Sequence, residues 1–93
     1  MARASARHIL VESETLCREL IEKINQGEDF SKLAQAHSKC PSGARGGDLG
    51  EFGPGQMVPE FDKVVFSEAV GVAHGPVRTA FGFHVVEITR RTE

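Results

Sequence analysis

The order of strand and helix signals along the chain predicts a small α+β domain, in which helices pack on a sheet. The 93 residues are about the length of one domain with a single hydrophobic core. The hydrophobic share of 40% and the charged share of 26% are those of a globular protein rather than a disordered segment. Periodicities then follow in the order strand, helix, helix, strand, short helix, strand, strand. We therefore expect a single domain over residues 1–93, with its core at about 6–91.

The first half of the chain predicts one strand followed by two helices. Residues 6–12 are rich in β-branched and aliphatic side chains, which favours a strand buried on both faces. Ser13 can cap the next helix, and Gly27 can end it. Asp29 can cap a second helix, which is expected to end at Pro41. The side chains expected to point inward from the two helices are Leu16, Leu20, Ile21, Ile24, Phe30, Leu33, Ala34 and His37.

The second half begins with a glycine-rich segment. Residues 41–59 contain six of the ten glycines, yet large apolar residues interrupt the segment. It is therefore expected to be a structured loop around one brief strand at 48–52. Pro59 opens a short helix. Two strands, at about 76–79 and 83–89, then form a hairpin.

The composition excludes several classes of function. A net charge of -2 gives no reason to expect binding to nucleic acid. No apolar run approaches the ~20 residues that cross a bilayer, and the start of the chain lacks the apolar stretch of a secretory signal. Cys17 and Cys40 are too few for a disulfide framework. A cytoplasmic location, no membrane association and a monomeric state are expected, with a domain cut from a larger secreted or membrane-tethered protein as the alternative.

Two histidines lie inside strands that are otherwise apolar. Alternation places His8 on the same face as Leu10, and His84 on the same face as Val86. Buried imidazoles need hydrogen-bond partners, and the most economical partner for each is the other. From the residues alone, a structural pair that fixes the sheet is the favoured interpretation, with a functional pair as the alternative.

Cys40 is the candidate for thiol chemistry, because it precedes Pro41 and the glycine-rich loop. Cys17 lies on the apolar stripe of a helix, where a thiol is usually inert. A thiol hydrolase that pairs Cys40 with His84 is an alternative, although no nucleophile motif surrounds the cysteine. His37 and Cys40 lack the second spaced pair that is typical of structural zinc, so no metal is expected.

The glycine-rich segment predicts an apolar pocket rather than a phosphate site. The sequence GGDLG at 46–50 has no lysine-serine ending and no helix directly behind it. Leu49, Met57 and Phe61 are large apolar residues close to this segment, and Phe81 is expected nearby. Each of them alone is more often a core residue, but their clustering indicates an apolar pocket.

Taken in order, several motifs of this chain resemble the parvulin-type peptidyl-prolyl cis/trans isomerases. The motifs are ARHILV, HSKCPSG, GGDLGEF, GQMVPEFDKVVF and GPVRTAFGFHVVEITRR. They run from about residue 6 to residue 91, and the chain looks closest to the short bacterial parvulins that consist of the catalytic domain alone. The resemblance implies a four-stranded antiparallel sheet surrounded by helices in the order β-α-α-β-α-β-β. It also implies an enzyme that aids protein folding by rotating Xaa-Pro bonds.

The resemblance also assigns roles to individual residues. The catalytic set would be His8, Cys40, Thr79 and His84, with Thr79 hydrogen-bonded to one histidine. Leu49, Met57 and Phe61 would line a cup for the proline ring. Phe81 stands where some members carry a small hydroxyl residue, so the pocket should be more apolar on that side. No cofactor is expected, and the expected partners are proline-containing peptides and unfolded or nascent proteins.

Substrate phosphorylation is not expected to matter. Phospho-specific parvulins read the phosphate with a cluster of arginines and lysines in a long loop after the first strand. Here Glu12 and Glu14 occupy a short connection, and their charges would repel a phosphate. The alternative function is a non-catalytic binding module for unfolded or proline-containing segments. The presence of the full set of site residues argues against that alternative.

Overall fold

A computed structural model of the chain describes residues 2–92, which form one four-stranded antiparallel sheet with three α-helices. The strands are β1 (Arg3–Val11), β2 (Asp48–Phe52), β3 (Ala73–Thr79) and β4 (Gly82–Thr92). The helices are α1 (Glu14–Asn25), α2 (Phe30–His37) and α3 (Pro59–Val65). A short 3-10 helix at Pro41–Arg45, which was not predicted, precedes β2. The predicted α+β class and order of elements are confirmed.

The sheet has the order β2-β1-β4-β3, so β1 and β4 are its two central strands. Their register places Leu10 opposite His84 and His8 opposite Val86. Strand β1 contributes to two hydrophobic clusters, one on each face of the sheet, as expected for a strand buried on both faces. Ile9 and Val11 belong to the cluster under α1 and α2, while Ala4 and Ala6 belong to the cluster with α3.

Both predicted helix caps are present. The Ser13 hydroxyl accepts a hydrogen bond from the Leu16 amide at 3.2 Å, and the Asp29 carboxylate accepts one from the Ser31 amide at 2.8 Å. Side-chain caps of this kind typically contribute about 1 kcal/mol each to stability. They fix where α1 and α2 begin, and therefore how their apolar sides meet the sheet.

The second helix ends earlier than predicted, at His37 rather than at Pro41. Ser38 is extended, and its hydroxyl accepts hydrogen bonds from the amides of Leu10 and Cys40 at 3.1 Å and 3.3 Å. The Lys39 amide donates to the Leu10 carbonyl at 2.7 Å. These tertiary contacts with β1 outweigh continuation of the helix, and they place Cys40 beside the end of β1.

A glycine fixes the glycine-rich loop against β1. Gly47 has a positive φ of 84°, and a β-carbon there would lie 2.2 Å from the His8 carbonyl oxygen. The His8 amide also donates a hydrogen bond to the Gly47 carbonyl at 3.0 Å. Because only glycine allows so close an approach, this position anchors the loop next to the first histidine.

Candidate functional site

One cavity of about 400 Å³ brings together all eight side chains that the sequence analysis singled out. They come from all four strands or their ends, from α3 and from the loops between them. The eight residues are His8, Cys40, Leu49, Met57, Phe61, Thr79, Phe81 and His84. The eight side chains lie close together, as the sequence analysis expected. Their roles in catalysis and binding stay predictions. Leu10, Lys39, Pro41 and Val58 complete the lining.

The two histidines form a buried pair at the base of this cavity. Both residues are only 4% exposed, and their Nδ1 atoms lie 3.0 Å apart. The rings stack with an interplanar angle of 15°, and the edge-to-face ring of Phe61 lies 4.8 Å from that of His84 and 5.4 Å from that of His8. The imidazoles are therefore enclosed by each other and by an aromatic wall.

Burial keeps both imidazoles neutral at pH 7. Burial, with a smaller contribution from the neighbouring His84, lowers the pKa of His8 to about 4. Burial also lowers the pKa of His84 to about 4, against the opposing effect of the Glu60 carboxylate. A neutral imidazole carries one N–H, so each ring donates through one nitrogen and accepts through the other.

That neutrality fixes the direction of a hydrogen-bond network across the cavity. The Ser42 hydroxyl donates to the Cys40 Sγ at 3.2 Å, so Ser42 Oγ accepts from His8 Nε2 at 3.1 Å. The one proton of His8 is then on Nε2, and its Nδ1 must accept from His84 Nδ1. His84 Nε2 accepts in turn from the Thr79 hydroxyl at 2.7 Å. The network thus links Cys40 to Thr79 through both rings.

Ser42 is the member of this network that the sequence analysis missed. It lies in the 3-10 helix and is 5% exposed. A signal for it was present, because each imidazole has two nitrogens and pairing the rings satisfies only one on each. With Thr79 at the outer nitrogen of one ring, the outer nitrogen of the other ring needed a polar partner of its own.

The apolar side of the cavity is formed by Leu49 from β2, by Met57 and by Phe61 from α3. These three residues are called the apolar cup below. The loop that carries Met57 is held by two hydrogen bonds: the Gly53 amide donates to the Gln56 side chain at 2.8 Å, and the Gly55 amide donates to the Asp62 carboxylate at 2.7 Å. The second of these bonds ties the loop to α3, which places Met57 next to Phe61 in the cup.

The two cysteines lie in different environments, and neither forms a disulfide. Cys17 is fully buried under the sheet, and burial raises the pKa of its thiol to about 11. Cys40 is half-buried at the wall of the cavity. The predicted contrast between an inert Cys17 and an accessible Cys40 agrees with these positions. Among residues 2–92, no three potential metal ligands converge.

The fold and the site together describe an α+β domain with an apolar cup beside a neutral, hydrogen-bonded histidine pair. A family model described as a rotamase, the PPIC-type PPIase domain, matches residues 5–90. The chain belongs to this family of peptidyl-prolyl cis/trans isomerase domains. The predicted membership in the parvulin-type isomerase family is therefore confirmed.

Comparison with individual proteins agrees with the family match. The foldase protein PrsA of Geobacillus kaustophilus is 47% identical over 85 residues, which are 90% of this chain and 30% of that protein. The crystal structure of PrsA from Bacillus anthracis superposes with a TM-score of 0.94 at 33% identity, covering 99% of this chain and 43% of the other. The parvulin of Nitrosopumilus maritimus gives a TM-score of 0.85 at 32% identity, covering 95% and 96%.

The predicted cytoplasmic location is wrong. One similar structure comes from a study of two SurA-like chaperones of Campylobacter jejuni, one described as a virulence factor and the other as a periplasmic protein. It superposes with a TM-score of 0.89 at 35% identity, covering 97% of this chain and 39% of that one. The PrsA and SurA relatives likewise point outside the cytoplasm. This chain spans about a third of the length of the PrsA relatives it matches. The low number of cysteines was a poor guide to location, because a domain with a packed hydrophobic core can be stable without disulfides in any compartment.

No helix among residues 2–92 is both long enough and apolar enough to cross a membrane.

Proposed function

We propose that this domain accelerates rotation about Xaa-Pro peptide bonds of protein substrates, with the proline ring in the apolar cup. The observation that carries the proposal is the position of the cup directly against the neutral histidine pair. Phe61 belongs to the cup and packs edge-on against both imidazoles. The membership of the chain in a rotamase family supports the same reaction.

The chemistry of the bond explains why so few groups are needed. The barrier to rotation is about 20 kcal/mol because rotation breaks the amide resonance. The twisted transition state is less polar than the planar amide, so an apolar site that excludes water binds it in preference. No nucleophile and no cofactor is required by such a step.

The residues of the network have a positioning role in this proposal. The neutral histidines form the floor of the cavity next to the cup and place no charge there. Thr79 and Ser42 form hydrogen bonds with their outer nitrogens. Cys40 stands at the wall of the cavity, and we place it beside the rotating bond. Because the reaction forms no covalent bond to the enzyme, the Cys40 thiol is not assigned as a nucleophile.

Exchange spectroscopy by NMR tests the proposal directly. A short Ala-Pro peptide should show cis/trans exchange peaks in the presence of catalytic amounts of the protein. Met57→Ala should lose at least tenfold of that acceleration, because Met57 lines the cup while being only half-buried. Val72→Ala is the control, since Val72 is exposed and lies outside the cavity. Equal catalysis by the wild type and Met57→Ala would contradict the assignment of the cup.

The binding module is the second candidate. Its support is that the relatives bear the names foldase and chaperone, and that an apolar cup would also hold an unfolded segment. Binding alone would appear in the same spectra as shifts of the peptide resonances without accelerated exchange. The partners we propose in either case are unfolded or proline-containing chains, bound by a monomer.

A thiol hydrolase would depend on Cys40. Under the isomerase proposal, Cys40→Ser should keep substantial catalysed exchange, within about tenfold of wild type, because serine still accepts the hydrogen bond from Ser42. Thermal unfolding of the variant checks that the fold is intact. Near-complete loss of exchange in a folded Cys40→Ser protein would instead indicate direct chemistry by the thiol.

Phosphorylation of the substrate should bring no advantage. Glu12 lies in the short connection after β1, and Glu14 opens α1, where it is paired with Arg18 at 2.7 Å. Lys39 is the one lysine or arginine in the lining of the cavity, whereas tight phosphate recognition usually needs several charge-assisted bonds. Paired Ser-Pro and phosphoserine-Pro peptides should be turned over within threefold of each other. A tenfold preference for the phosphorylated peptide would overturn this expectation.

A further inference from the structure

The loop that carries Met57 is joined to α3 through one carboxylate. The Gly55 amide donates a hydrogen bond to the Asp62 carboxylate, on α3, at 2.7 Å. Within the described residues 2–92, it is the only hydrogen bond between residues 53–57 and a helix or strand. The other hydrogen bonds of this loop close it on itself. Asp62 therefore fixes where the loop lies relative to α3.

The same helix also contacts the histidine pair. Phe61, which precedes Asp62, packs edge-on against both imidazoles. Because Phe61 is buried in the core cluster of this face, its position is set by the fold itself. The bond from Asp62 thus ties the loop with Met57 to a part of the fold that already touches His8 and His84.

The second carboxylate oxygen of Asp62 makes this arrangement costly. Asp62 Oδ1 is shielded from solvent, and no group within residues 2–92 donates a hydrogen bond to it. A buried acceptor that gives up its hydrogen bonds to water and gains none in return destabilises the folded state. The stabilisation from the bond to Gly55 is therefore offset, and stability alone gives little reason for an aspartate at this position.

An acidic residue in the first turn of a helix can also stabilise the helix directly. Glu60 and Asp62 are the acidic residues in the first turn of α3, where negative charge interacts favourably with the helix dipole. The Asp62 carboxylate, however, accepts its hydrogen bond from the loop rather than from an amide of α3. An interaction with the dipole does not require that contact, and Glu60 supplies such an interaction already.

From these observations we infer that Asp62 is a positioning residue of the isomerase, whose carboxylate holds the loop so that Met57 completes the apolar cup before the substrate binds. This inference rests on the proposed isomerase function. Without the bond, the loop would be ordered only when the proline ring binds, and binding would carry the entropic cost. Rotation follows binding and would change little. Loss of the carboxylate should therefore act on KM rather than on kcat.

The test is catalysed exchange of a short Ala-Pro peptide, measured by NMR over a range of peptide concentrations. Asp62→Ala should raise KM by about tenfold, the size typical of a hydrogen bond to a charged group, and keep kcat within about threefold. Asp62→Asn should keep both constants within about threefold of wild type, because its amide oxygen can still accept from Gly55. Glu19→Ala is the control, because it removes an exposed helical carboxylate outside the cavity, and its KM should be that of the wild type.

Two further measurements separate positioning from a purely structural role. The melting temperature of Asp62→Ala should lie within about 3 °C of wild type or above it, because the unpaired oxygen is lost together with the bond. The chain has two methionines, Met1 and Met57, so a ¹³C-methyl spectrum resolves the methyl group of the cup. In the absence of peptide, the Met57 methyl should be more mobile in Asp62→Ala than in the wild type or Asp62→Asn.

The outcomes separate this inference from the function on which it rests. An unchanged KM in Asp62→Ala would refute the inference and leave the isomerase in place. An equal rise in KM in Glu19→Ala would refute it as well, because the loss of any carboxylate would then suffice. A fall in melting temperature of more than about 5 °C in Asp62→Ala would reduce Asp62 to a structural residue. Absence of catalysed exchange with the wild type would refute the proposed function itself.

Discussion

Acidification from pH 7 to pH 5 should destabilise the domain through its histidine pair. The pKa of His8 is about 4 in the folded protein and about 6.5 in an unfolded chain. Between these values the unfolded state binds more protons, so the free energy of unfolding falls as the pH falls. Stability from this residue is complete above about pH 6.5 and is lost progressively toward pH 4.

The size of the effect follows from the two pKa values. At pH 5, protonation favours the unfolded state by ~2 kcal/mol for His8 alone. His84 acts in the same direction, because burial lowers its pKa as well. For a domain of this size, each 1 kcal/mol shifts the melting temperature by about 4–8 °C. The melting temperature should therefore fall by ~8–16 °C between pH 7 and pH 5, where most unfolded carboxylates are still ionised.

The assay is thermal unfolding by circular dichroism at pH 7, 6 and 5 for the wild type and two variants. His8→Gln removes one titrating ring and should flatten the pH dependence, whatever its effect on stability at pH 7. His37→Gln is the matched control, because His37 lies outside the pair and is half-buried on α2. A wild-type melting temperature that is the same at pH 7 and pH 5 would refute the reasoning. A fall of the same size in His8→Gln would do so as well.

Two further predictions follow from the same geometry. In ¹⁵N NMR spectra at pH 7, His8 should be protonated at Nε2 and His84 at Nδ1, because Ser42 donates to Cys40 and so accepts from His8. In Ser42→Ala the preference for these tautomers should weaken. The opposite tautomers in the wild type would contradict the derived network. Alkylation at pH 8 should modify at most Cys40 in the folded protein, because burial raises the pKa of Cys17 to about 11; both thiols should react after denaturation, and rapid native modification of Cys17 would show that the core opens.

Local sequence signals were sufficient for the elements and for most of the site. Ser13 and Asp29 predicted the helix starts because a side-chain cap depends only on residues two or three positions away. The alternation in β1 and β4 predicted a buried face for each histidine because side-chain direction along a strand has a fixed period of two. The resemblance to the parvulins then placed Leu49, Met57 and Phe61 together, although they are distant from the histidines along the chain.

Other features depended on contacts that no local pattern describes. The end of α2 at His37 is set by the hydrogen bonds that Ser38 and Lys39 make to Leu10, on a different element. The predicted cytoplasmic location was likewise wrong, since a packed domain can have this composition outside the cytoplasm as well. Both errors came from treating a local signal as if it carried non-local information.

The sequence by itself determined the class of fold, the order of its elements and the need of two buried histidines for hydrogen-bond partners, because periodicity and the cost of burying a polar group are local rules. Only the tertiary structure showed that Ser42 is the partner of the second nitrogen of His8. Ser42 in turn sets the direction of the whole hydrogen-bond network. It also decided that Phe81 stays exposed at the mouth of the cavity. The physical reason is that hydrogen-bond partners and exposure depend on how separate segments approach in space, and here that approach is fixed by contacts such as Gly47 against β1.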